Sequence, residues 1–251
     1  MQLSEAMDKI IERIYKIFDR YPVPQQFNLC MPCCVSPQEE KALRQTSLRE
    51  LPFALLHTYV HGSIGQEINS SEIRYILPRL LEFIAHKEYP GISEEICLKR
   101  VGLSGIENWL PAEQAVLADF ARQYLVDLLT EAQSAGRLLR LDEVLIMFHM
   151  AGVDITPLLD AVLEQPGFWA LASLAFMLHM KRTNGCLNNS FLNDKDANSD
   201  LLNQRINEWV KHSASQLSAL AEQAIISPAD LTEHDQRYWI EESLCALYDS
   251  P

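Results

Sequence analysis

The stretch PAEQAVLADFARQYLVDLLTEAQ, residues 111–133, sets the reading of the whole chain. Val116, Leu117, Phe120, Tyr124, Leu128 and Leu129 recur at three- and four-residue intervals, so they line one buried stripe of a long helix. Pro111 suits its first turn and Gly136 its close. Just downstream, LDEVLIMFHM (141–150) is apolar nearly all round, which predicts a central helix ending at Gly152. Asp154 can cap a helix to Gln165, and Pro166 begins another reaching about Arg182. Residues 183–199 are rich in Asn, Ser and Asp and read as the long irregular stretch, before helices over about 200–225 and 229–247.

Upstream the same periodicity holds. Leu3, Met7, Ile10, Ile14, Ile17, Phe18 and Tyr21 paint a stripe on a helix over 3–21, which Pro22 and Pro24 end. Ser36-Pro37-Gln38-Glu39 reads as a capped helix start. Ser47 caps a helix to about His61, and Ser71 opens one containing Pro78 and ending at Pro90-Gly91. Ser93 starts a short helix that Gly102 stops. No alternating Val/Ile/Thr run is present, so a sheet is not expected. The expected fold class is all-α, an irregular α-α superhelix or solenoid-like array of about ten helices. It is read as a single array over 1–251, with 1–106 and 107–251 as the subdivision if there is one.

Composition narrows the function. The 251 residues are 48% hydrophobic and 22% charged, ordinary for a globular chain. No run of eighteen apolar residues and no secretory leader is seen, so a cytoplasmic protein without membrane contact is expected. Net charge is −13, and residues 107–251 carry −12 of it. Such a balance repels phosphate backbones and argues against direct nucleic-acid binding; a basic protein would be attracted and steered.

Among the chemistry-bearing residues, Cys30-Met31-Pro32-Cys33-Cys34 is the sharpest motif. Cys-x-x-Cys can give one metal two thiolates, and His57 and His61, one helical turn apart, can supply two imidazoles. The 23-residue gap between the pairs is not a familiar finger spacing, so the preferred expectation is a loop in which the three Cys act as small apolar side chains, with no metal and no cofactor. A thioredoxin-like use lacks the strand it needs. Gly-x-Ser-x-Gly, His-Glu-x-x-His, phosphate loop and dinucleotide fingerprint are all missing, and no catalytic residue is expected. His149 and His179 read as core histidines, and the pairs Glu39-Glu40, Glu94-Glu95 and Glu241-Glu242 as solvated helix faces. In the last segment, Glu233, Asp235, Glu241, Glu242 and Asp249 accompany Tyr238, Trp239 and Tyr248, a mixture that protein interfaces use, although Trp239 with Leu244 and Leu247 reads better as the buried face of an end-capping helix, and the loop 183–199 is the better candidate for recognition.

Residues 30–86, with Cys-x-x-Cys-Cys, then Ser-Pro-Gln-Glu-Glu, Ser-Leu-Arg-Glu-Leu and Ile-Leu-Pro-Arg-Leu-Leu-Glu, resemble a group of uncharacterised bacterial helical proteins with the same order of motifs. The acidic, all-helical character also resembles immunity proteins of contact-dependent growth inhibition systems, which neutralise basic toxin domains, often nucleases. The resemblance implies an antitoxin, not an enzyme, that occludes the active site of an RNase or DNase. The residues expected to meet such a partner are Asp194, Asp196, Asp200, Glu233, Asp235, Glu241 and Glu242. The alternative is a metal-dependent helical regulator or enzyme built around Cys30, Cys33, His57 and His61.

Overall fold

Capping chemistry fixes where several helices begin. Ser4 Oγ accepts the Met7 N–H at 3.1 Å, and Ser36 Oγ accepts the Glu39 N–H at 3.2 Å while the Glu39 carboxylate takes the Ser36 N–H at 2.8 Å. The computed structural model describes residues 3–31, 33–91, 93–165, 167–187, 189–193 and 198–226. They form ten α-helices and, among the described residues, no strand. In order these are α1 (Glu5–Phe18), α2 (Pro37–Gln45), α3 (Phe53–Gly62), α4 (Ser70–Ala85), α5 (Lys99–Leu103), α6 (Pro111–Ala135), α7 (Leu141–Met150), α8 (Thr156–Glu164), α9 (Phe168–Asn184) and α10 (Ser199–Ile226). The chain is all-α. The expected helix over 229–247 lies outside the described residues.

Three helix bounds differ most from the sequence expectation. The segment opened by Ser47 makes only a short 3-10 turn, Leu48–Glu50, before Pro52 keeps Leu51 out of the helical region, at ψ 114°, and α3 begins at Phe53. Helix α4 keeps Pro78 in its interior but stops at Ala85, because Lys87 takes a left-handed φ of 61° that an α-helix cannot continue. After Ser93, regular helix begins only at Lys99.

The chain folds as two compact units whose boundary is not at 106/107. The first takes residues up to Tyr124 and also Met147–Val153; the second takes Leu125–Ile146 and everything from Asp154. In the first unit α1 buries Met7, Ile11, Ile14, Tyr15 and Phe18 and packs on α4, which buries Ile73, Ile76, Leu77, Leu80, Leu81 and Ile84. Phe148 meets Phe120 and Tyr124 edge-on, at 6.2 and 5.8 Å between ring centroids. The Tyr89 and Tyr124 hydroxyls pair at 2.6 Å, which satisfies the polar end of a buried phenol.

In the second unit α8, α9 and α10 pack on one another. Trp169, Ala172 and Ala175 of α9 form a cluster with Leu138, Phe168 and Leu178. Polar contacts bind α10 to its neighbours: Trp209 Nε1–H donates to Asp160 at 2.8 Å, and the buried Lys181 Nζ donates to Asn207 Oδ1 at 2.5 Å. Burial pushes the Lys181 ammonium below its ordinary value.

One buried acid in the first unit makes stability depend on pH. Glu72, 1% exposed, accepts the Asn28 N–H at 2.9 Å, and its second oxygen has no hydrogen-bond partner. Burial raises its pKa, against the opposing pull of the Asn28 N–H, Tyr59 and Arg100. A carboxyl raised in the folded state binds its proton more tightly there than when unfolded. Stability is therefore lost as pH rises from the ordinary glutamate value through the folded one, and the penalty is complete above it. Glu72→Gln keeps an acceptor for Asn28 and removes the charge. It should make the protein more stable than wild type at pH 7, with the difference shrinking toward pH 4.5 when urea unfolding is followed at both; a constant difference would refute the assignment.

Candidate functional site

The loop between Phe27 and α2 is built before its thiols are considered. Leu29 and Val35, both buried, anchor its two ends. Cys30 N–H donates to the Gly62 carbonyl at 2.7 Å, which ties the loop to the end of α3. The approach requires glycine at 62, since a Cβ there would lie 2.3 Å from Val35 Cγ2. The Cys34 and Val35 N–H groups return to the Cys30 carbonyl, at 3.0 and 3.2 Å, so the chain turns back on itself within five residues.

This turn brings three sulfurs together. Cys30 and Cys33 Sγ are 3.0 Å apart, Cys33 and Cys34 Sγ 3.2 Å, and all three lie within 4.8 Å of one another. Neighbouring S–H groups favour the thiolate at Cys30, first from Cys33 and then Cys34, and lower its pKa. The same bonding pushes Cys33 up to about 12. Cys33 and Cys34 are exposed and Cys30 is half-buried. The expectation that the three Cys pack as small apolar side chains is corrected here: Leu29, Val35 and the backbone bonds hold the loop, while Cys33 and Cys34 are exposed.

The tetrad Cys30, Cys33, His57 and His61 does not form. The His57 and His61 rings lie against each other, tilted by 34° with centroids 4.1 Å apart, and neither joins the thiol group. The His61 Nε2 is buried without a hydrogen-bond partner, and burial, then the neighbouring His57, lowers its pKa. Cys34 is the member that sequence reasoning passed over. Its signal was its adjacency to Cys33 in a loop short enough to close by one turn.

Of the acids expected to meet a partner, Asp200 is exposed in the first turn of α10. Asp194, Asp196, Glu233, Asp235, Glu241 and Glu242 lie outside the described residues. The described residues of the 183–199 stretch are less irregular than expected. Leu187 is buried with its N–H on Asn203 Oδ1 at 2.9 Å, and a 3-10 turn spans Ser190–Asn193. The paired acids also differ from a solvated face. Glu40 is buried and takes Arg44 Nε–H at 2.7 Å, and Glu95 is buried and accepts the Ser93 hydroxyl at 2.7 Å. His149 is buried, as expected of a core histidine.

A groove of about 630 Å³ in the first unit is lined by Glu12, Tyr15, Arg49 and Tyr75 among others. Two of its charges pair with each other: Arg49 grips Glu12 with two hydrogen bonds, at 2.8 and 2.9 Å, and lies 3.9 Å over the Tyr15 ring. Among the described residues no helix is long and apolar enough to cross a membrane. Comparison with protein-family models, with curated proteins and with solved structures gives no match to this chain.

Proposed function

We propose that this chain is an interaction protein that captures a basic protein domain. Its most specific form would be a cytoplasmic immunity protein that occludes the active site of a cationic toxin nuclease. One observation carries the reading: the sequence of the second unit, 125–146 and 154–251, holds 18 acidic against 8 basic residues, which is −10 of the net −13. Acids gathered on one unit attract a basic groove over distance, and their carboxylates can occupy the places a nuclease reserves for phosphate. Inhibition then needs no chemistry from this chain.

The test is co-expression with a toxin domain encoded beside it, followed by co-purification. The association rate should fall as salt rises, since screening shortens electrostatic steering to ~8 Å at physiological ionic strength. Charge reversal at Asp194, Asp196, Asp200, Glu233 or Asp235 should slow association, whereas neutral substitutions at the exposed Glu5 or Asp8 should leave it unchanged. Absence of a stable complex, or toxin survival that does not depend on this protein, refutes the reading. The alternative, a helical regulator centred on the thiol loop, draws on the convergence of Cys30, Cys33 and Cys34.

A further inference from the structure

We infer that Cys30, Cys33 and Cys34 together bind one thiophilic d¹⁰ cation, Zn²⁺ by class, through three thiolates, with a fourth coordination position open to solvent. The site is independent of the basic-partner reading.

Geometry comes first. A tetrahedral ion about 2.3 Å from each sulfur holds them about 3.8 Å apart. The separations of 3.0 and 3.2 Å are shorter than that figure, and all three sulfurs lie within 4.8 Å of one another, so side-chain rotation that opens the group by under an ångström seats the ion. The backbone that carries the thiols is set without the ion, by the Cys30 N–H to Gly62 bond and the two N–H groups returning to the Cys30 carbonyl. Little ordering entropy therefore opposes binding.

Exposure comes second. Thiols that served packing would be covered, as Cys97 is; Cys33 and Cys34 are not, and they stabilise no core. Three soft sulfurs and no carboxylate in the group select zinc-class and other thiophilic ions over Mg²⁺ or Ca²⁺. Among the described residues no further His, Cys, Asp or Glu joins the group, His57 and His61 included, which leaves the fourth position to water or to a donor from another molecule. Three protein ligands with one open position describe an exchangeable or reactive zinc, in contrast to the closed four-ligand structural kind.

The test uses tag-free full-length protein, reduced and stripped of metal under anaerobic conditions, then titrated with Co²⁺. One equivalent should produce a thiolate-to-cobalt charge-transfer band with the intense visible bands of four-coordinate cobalt, and one equivalent of Zn²⁺ should bleach both. Cys33→Ser and Cys34→Ser, which alter exposed side chains, should fold normally by circular dichroism. Each should weaken zinc binding roughly 100-fold and reduce the charge-transfer intensity. His61→Ala and Cys186→Ser should change neither. A reduced chain that gives no cobalt band overturns the inference. So does a band that keeps full intensity in Cys34→Ser and disappears in His61→Ala, since that result would restore the Cys/His tetrad.

Discussion

Gly102→Ala is expected to destabilise the protein by about 3 kcal/mol and to lower its Tm by roughly 6–12 °C. Two effects oppose each other at this position. Gly102 lies within α5, where alanine is intrinsically the better helix former by about 1 kcal/mol. Yet an added Cβ would lie 2.0 Å from the Met150 carbonyl oxygen and 3.1 Å from the carbonyl carbons of Met150 and Ala151. These are backbone atoms at the end of α7 and cannot rotate aside. Helix α5 must back away by about an ångström, opening gaps beside the buried Val101 and Ile106. Steric conflict outweighs propensity. Gly65→Ala is the control, since nothing lies within 4 Å of that Cβ and only its left-handed φ of 74° is strained. Equal melting temperatures for wild type and Gly102→Ala would show that α5 and the end of α7 do not approach as described.

The second large effect belongs to Glu113, which is fully buried near the start of α6. One carboxylate oxygen accepts the Tyr21 hydroxyl at 2.6 Å; the other accepts the Leu110 N–H at 3.1 Å and faces Arg74 Nε at 3.9 Å. The Arg74 guanidinium also lies over the rings of Trp109 and Tyr21, at 5.0 and 5.4 Å. Glu113→Ala removes the acceptor for two donors and the counter-charge of a largely covered cation. Losing one partner of such a pair costs about 3–5 kcal/mol, a large share of a typical folding free energy. Glu113→Gln retains an acceptor and the shape, and should lose clearly less. Equal losses in urea unfolding for the two variants would mean that shape alone matters here.

Much of the helical framework was legible because burial and helical period coincide. The stripe from Val116 to Leu129 and the apolar run 141–150 become α6 and α7 with bounds within two residues of the reading. The unit boundaries were not legible. Charge blocks suggested 106/107, but a boundary depends on which side chains meet across long separations, such as Phe148 returning to Phe120 and Tyr124. Buried acids were hidden for the same reason. Glu72 and Glu113 look like surface residues in a linear string, and their partners, Asn28 for the first and Tyr21 and Arg74 for the second, lie far from them in sequence. At the thiol loop the sequence supplied the sulfurs and their spacing. Which ones converge depended on the turn at Cys34 and on the contact between the His57 and His61 rings.

Interleaving of the two units in the chain has a consequence for biosynthesis. A ribosome releases Tyr124 well before Phe148, and between them it delivers 22 residues, Leu125–Ile146, that belong to the other unit. The first unit therefore cannot close when its long leading segment emerges. Phe120 and Tyr124 wait for Phe148, a delay of seconds at ordinary elongation rates, during which an apolar surface is open to chaperones or to neighbouring nascent chains. For the same reason a fragment cut at residue 124 would lack the aromatic ring that completes its own interior, while one extended to 153 would carry an unfinished portion of the second unit.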